Sequence, residues 1–158
     1  MRRDLKGLQT CHSETDMTRI TLDKANSIVT GAFAKAKELG LKPLGVAVLD
    51  AGGHLIAFQR QDGASTLRLQ IATAKASGAL ALGISSRKIA DMAAERPTFI
   101  AALGPIAPHG ILPAAGGVIV VGAEGLPIGA VGVTGDTSDN DEICALAGIA
   151  GAGLTPQN

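Results

Sequence analysis

Twice in this chain an apolar run reaches a short glycine-bearing turn and is answered by a second apolar run. "GVAVLD" at 45–50 meets "HLIAFQR" at 54–60 across Ala51-Gly52-Gly53, and "GVIVVG" meets "LPIGAVGVTG" across Ala123-Glu124-Gly125. Runs of this length, rich in β-branched residues and joined by glycine turns, predict two β-hairpins. Glycines inside the second pair predict strands that another backbone approaches closely. The flanking segments have a different period. Leu22, Ala25, Ile28, Val29, Ala32, Phe33, Ala36 and Leu39 recur at helical steps between a Thr21 cap and a Gly40 stop. In "STLRLQIATAKASGALALG" a second helix presents Leu67, Ile71, Ala74 and Gly78 as its apolar stripe, with Lys75 beside it. A third, short helix runs from Ser86 to before Pro97, and a last one from Ser138 to about Gly151.

The order α-β-β-α-α-β-β-α predicts an α/β (α+β) fold: a mostly antiparallel sheet made of hairpins, with helices packed over it. Residues 98–116 carry three prolines and three glycines, and are expected to form a long irregular loop with one helical turn. Loops of that length in small domains often carry function. With 46% hydrophobic residues, 21 glycines and 2% aromatic residues, the core must be built from small side chains in close contact. A chain of 158 residues suits one domain. The expected boundaries are a flexible tail at 1–19 and a single domain at 20–154.

Charge excludes several classes. The formal net charge is +0 with scattered bases, so the electrostatic footprint of a nucleic-acid binder is missing. No stretch approaches the roughly 18 apolar residues of a membrane span. The opening Met1-Arg2-Arg3 is followed by polar residues rather than an export segment, which points to cytoplasmic residence. Cys11 and Cys144 have no metal-site spacing, and Cys11-His12 lacks the upstream cysteine of a haem-attachment motif.

The turn "GDTSDNDE" joins a strand to a helix. Asp136, Asp139, Asp141 and Glu142 occupy the place a phosphate would take. They read either as helix capping, with Ser138 or Asp139 as N-cap and Asp141 or Glu142 serving the first turn, or as an acid-base or cation-binding group, Asp136 or Glu142, aimed into a pocket. Lys75, amid alanines, either snorkels to water or supplies a desolvated amine. Arg60 and Asp62 pair at the hairpin end, or Arg60 holds a ligand carboxylate. His54 at the turn and His109 in the Pro/Gly loop are solvent-facing residues or pocket ligands. Ala145, Gly148 and Gly151 on the last helix permit close helix approach, which suggests a homo-oligomer.

Four segments, "VAVLDAGGHLIAFQRQDGA", "IATAKA", "AAGGVIVV" and "IGAVGVTGDTSDNDEICALAGI", resemble in order those of the GlcG/HbpS haem-binding-protein-like family, which also includes the C-terminal domain of PduO-type cobalamin adenosyltransferases. The resemblance implies a profilin-like domain that assembles into homo-oligomers and, in some members, binds haem or another small molecule. It does not fix an activity. On this basis one function is haem or small-molecule binding, accessory to a catabolic pathway, with His109 first and His54 second as iron ligands and Arg60 and Asp62 contacting the ligand. The alternative is a small oligomeric isomerase, hydratase or lyase acting on a carboxylate- or carbonyl-bearing metabolite, with Lys75, Asp136 and Glu142 as proton-transfer groups.

Overall fold

The structure, a computed structural model, describes residues 18–158; the expectations for Cys11, His12 and most of the tail lie outside them. The first helix, α1, spans Leu22–Glu38. Thr21 accepts from the backbone N–H of Lys24 at 3.2 Å, Asp23 stands in the first turn, and Lys35 and Lys37 stand in the last, so both ends complement the helix dipole. Strands β1 (Gly45–Asp50) and β2 (Leu55–Arg60) form the first hairpin. Its turn is closed by Asp50, whose Oδ1 accepts from the N–H groups of Gly52 and His54 at 2.9 Å each. Strands β3 (Gly117–Val121) and β4 (Pro127–Thr134) form the second hairpin. A short β5 (Thr155–Pro156) ties the C-terminal end to β3. All pairings are antiparallel, and the five strands lie in the order β2-β1-β4-β3-β5.

One face of the sheet is covered by α1 and by α5, which spans Ser138–Gly151. Ile28, Val29 and Ala32 of α1 and Cys144, Ala145 and Ile149 of α5 bury against Val46, Val48, Val118, Val120, Val131 and Val133. The two helices touch through their backbones: a Cβ at Gly148 would run into the carbonyl oxygen of Ile28. Ala145 and Gly148 are thus spent on packing within the chain, while Gly151 faces open space. The small-residue stripe therefore carries no argument for an oligomer.

The other face is covered by α2, Arg68–Leu82. A Cβ at Gly132 would strike the carbonyl oxygen of Ala72, and one at Gly117 that of Lys75, so the helix backbone lies directly on the strands. This contact turns α2 away from the expected stripe. Ala72, Ala76 and Ala79 are fully buried, whereas Leu67 is 57% exposed. A glycine-paved strand accepts the narrow alanine side of a helix, not its leucines.

Two further differences follow from local chemistry. Helix α3 is Ser86–Glu95, capped by Ser85, and α4 (Pro97–Leu103) follows directly, then a 3-10 turn at Gly104–Ile106. Pro97 ends one helix and starts the next, since its missing N–H costs nothing at a first helical position; the irregular segment is accordingly shorter than expected. At α5 the N-cap is Thr137, not Ser138 or Asp139, and it accepts from Asn140 N–H at 3.3 Å.

Candidate ligand-binding site

Between the first hairpin turn and α2 lies a cavity of about 410 Å³ lined by Gly53, Leu55, Leu69, Gln70, Thr73 and His109. Leu69, Gln70 and Thr73 sit on one side of α2 at three- and four-residue spacing, which brings their side chains together. His109 is delivered by the segment after the 3-10 turn. Gly110 takes φ +73° there, and Ile111 rests on α2 where Gly78 has no side chain, its Cα 3.5 Å from the position a Cβ would hold. The Thr73 hydroxyl oxygen is buried without a hydrogen-bond partner. A buried polar atom left unpaired is costly, and here it belongs to a residue lining a cavity that also holds an imidazole.

His54 does not line this cavity. Its side chain is 81% exposed, with Nδ1 3.3 Å from Asp50 Oδ1. The backbone N–H of His54, more than its ring, holds the Asp50 carboxyl below the usual carboxylate range.

Arg60 and Asp62 face a second, wide-open cleft of about 870 Å³ between the end of α1 and the end of β2, with Phe33, Lys37, Leu41 and Pro43. The two residues form no ion pair with each other.

Lys75 is 3% exposed, and its amine donates to Asp141 Oδ2 at 2.9 Å and to the Val133 carbonyl at 3.0 Å. It does not snorkel. Asp141, 2% exposed, also accepts from the N–H of Asp136 at 3.0 Å. Burial pushes the Asp141 carboxyl above its usual value, against the Lys75 charge and the backbone N–H groups. The pair ties α2 to β4 and α5 beneath Gly116, whose φ of +119° and lack of a side chain leave room for the amine.

Asp136 and Glu142 are also engaged. Asp136 accepts from Asn140 Nδ2 at 2.7 Å, from Thr137 N–H at 2.8 Å and from Lys42 N–H at 3.1 Å. These bonds, Asn140's first, hold its carboxyl down at about 2. Glu142 and Asp139 each bond the Arg87 guanidinium at 2.6 Å, which keeps Arg87 above the usual arginine range. Thus Glu142 does not serve the first turn of α5. None of Lys75, Asp136 and Glu142 lines either cleft.

Leu55, Leu69, Gln70, Thr73, Arg68 and Arg87 carry no motif that marks them in the sequence. A helix at 68–82 was visible, but its register on the sheet, and so the side that faces the cavity, depends on the glycines of β3 and β4.

The family model described as "Haem degrading protein HbpS-like" matches residues 20–150. This chain belongs to the HbpS-like family. The HbpS crystal structure is 30% identical with a TM-score of 0.73, covering 95% of this chain and 96% of that one. A 15.0 kDa protein from the dhaT-dhaS intergenic region of Citrobacter freundii is 32% identical over 126 residues, 80% of this chain and 87% of that protein. The crystal structure of a PduOC:heme complex shares the fold at 20% identity, with a TM-score of 0.77 over 89% of this chain and 99% of that one. The HbpS-like fold thus places the α2 cavity within the matched region. Among the described residues, no helix is long and apolar enough to cross a membrane.

Proposed function

We propose that this HbpS-like chain binds haem in the cavity between the first hairpin and α2, with His109 as the iron ligand. The observation that carries the reading is the convergence of an imidazole and a buried, unpaired hydroxyl on one apolar-walled cavity of about 410 Å³. That volume falls within the roughly 300–1,000 Å³ of small-molecule sites. A neutral imidazole is a usual haem ligand, and bound haem iron supplies redox and oxygen chemistry that the side chains here lack. Leu55 and Leu69 offer apolar contact to the macrocycle, while Thr73 and Gln70 offer hydrogen bonds to a polar edge. The haem in the PduOC complex and the family's description support the same ligand. Leu55 at 50% and Leu69 at 37% exposure leave apolar surface at the cavity, which supports a homo-oligomer covering it. Proton-transfer catalysis by Lys75, Asp136 and Glu142 draws no support from the geometry, since each is tied into the packing.

Haemin titration tests the reading. The wild-type chain is expected to give a Soret band that saturates at one haem per chain. Leu69→Asp, at a partly exposed position, folds and binds at least about tenfold more weakly, because burying an unpaired charge against the ligand is costly. Uptake without saturation, equal in both proteins, would show adsorption and overturn the proposal.

A further inference from the structure

On the side of α2 that meets the His109 cavity, Gln70, Thr73 and Ser77 stand at steps of three and four residues and so form one row along the helix. Exposure falls along that row: Gln70 is exposed, Thr73 is half-buried, and Ser77 is 5% exposed. Ser77 Oγ lies 4.0 Å from where a Cβ of Gly53 would stand, and Gly53 lines the cavity, so the hairpin turn places no side chain in front of that hydroxyl. Neither hydroxyl is used within the protein. Thr73 Oγ1 is buried without a partner, and the Ser77 hydroxyl makes no hydrogen bond among the described residues. The leucines of the lining, Leu55 and Leu69, are exposed instead, and His109 is exposed with them. The site is thus polar where it is buried and apolar where it is open.

We infer that this cavity takes haem by its carboxylate edge, with the Thr73 and Ser77 hydroxyls donating to a propionate and the macrocycle lying outward against Leu55 and Leu69. The inference rests on the haem reading and adds which edge of the ligand enters. A buried hydroxyl without a partner is costly, and the cost is recovered when an acceptor reaches it. The propionate is the strongest acceptor haem carries: an ionised carboxylate accepts several hydrogen bonds, each roughly twice as strong as a neutral one. No Lys or Arg stands in the described lining of the cavity, so discrimination there falls to these neutral donors. An ester at the same edge keeps a carbonyl oxygen but loses the charge.

Iron-free protoporphyrin IX and its dimethyl ester, titrated into the chain from the same non-ionic detergent above neutral pH, test this by porphyrin fluorescence. The free acid is expected to bind at least about tenfold more tightly than the ester, the worth of one charge-assisted contact. In Ser77→Ala, a change suited to a helix interior, that ratio falls toward unity. Ser27→Ala, on α1 and outside the cavity, keeps the wild-type ratio. Equal affinity for acid and ester in the wild type overturns the inference, and so does a ratio that Ser77→Ala leaves intact. Because these porphyrins carry no iron, the result does not pass through His109. The haem reading fails in a different readout, a Soret band that does not saturate with haemin.

Discussion

The two faces of the sheet are packed by different means. Beneath α1 and α5 the contacts are branched aliphatic side chains, Ile28, Val29 and Ile149 against the valines of β1, β3 and β4. Beneath α2 the helix backbone rests on Gly117 and Gly132, with little hydrocarbon between them. Polar groups are instead enclosed there: the Lys75–Asp141 pair, the Ser86 hydroxyl accepting from Gly117 N–H at 2.6 Å, and the unpaired Thr73 hydroxyl and Arg68 Nε. Stability on the first face should follow buried area. On the second it should follow fit and polar pairing, and the Thr73 hydroxyl left over there belongs to a residue that lines the candidate cavity.

Substitutions on the α2 face should therefore cost most. Lys75→Met leaves the Asp141 carboxylate buried without its partner, and is expected to cost about 3–5 kcal/mol in chemical denaturation. Adding Asp141→Leu should recover most of that loss, since an apolar pair of similar volume often replaces a buried ion pair at little cost. A double variant as unstable as the single would mean that the backbone bonds to Asp141, not the ion pair, hold the α2 face. Gly132→Ala comes next, at roughly 1–3 kcal/mol, because its Cβ meets the Ala72 carbonyl and α2 must lift. A neutral effect would show that α2 is not seated on β4 as described. On the opposite face Ile149→Val, which deletes one methyl group, is expected to cost about 0.5–1.5 kcal/mol.

Smaller effects sharpen the contrast further. Thr73→Val replaces an unpaired buried hydroxyl with a methyl, so stability should hold or rise slightly while haem affinity falls. Unchanged affinity would remove Thr73 from the site. Asp136 supplies a pH test away from both faces. Its carboxyl sits at about 2, against an ordinary 3.8. The folded state therefore binds its proton less readily than the unfolded chain, and this contribution is full above pH 3.8 and is lost as pH falls through 2. In Asp136→Asn the thermal midpoint should fall less steeply across that window than in the wild type.

Much of the fold was legible because hairpins and long amphipathic helices announce themselves by period. Glycine turns at Gly53 and Gly125, with φ of +82° and +75°, mark the hairpin reversals where they were expected. What was not legible depended on partners distant in sequence. The hydrophobic ranking favours Leu67 and Ile71 as the buried stripe of α2, yet the glycines of β3 and β4 select Ala72 and Ala76. In the acid turn four carboxylates look alike. Only the packing of α5 against Lys75 makes Asp141 the buried one, while Asp136 closes the loop and Asp139 and Glu142 hold Arg87. His109 was visible as a candidate, but Thr73 was not: a threonine inside a helix signals nothing until the cavity beside it is seen.

The claim that this cavity is the haem site rests on the difference between two exposed histidines, one lining it and one at the hairpin turn. The most direct measurement is a haemin titration of wild type, His109→Ala and His54→Ala, read by the Soret band and its magnetic circular dichroism. His109→Ala should lose the histidine-ligated spectrum and bind at least about tenfold more weakly, while His54→Ala matches the wild type. A histidine-ligated spectrum that survives in His109→Ala and vanishes in His54→Ala would contradict the account.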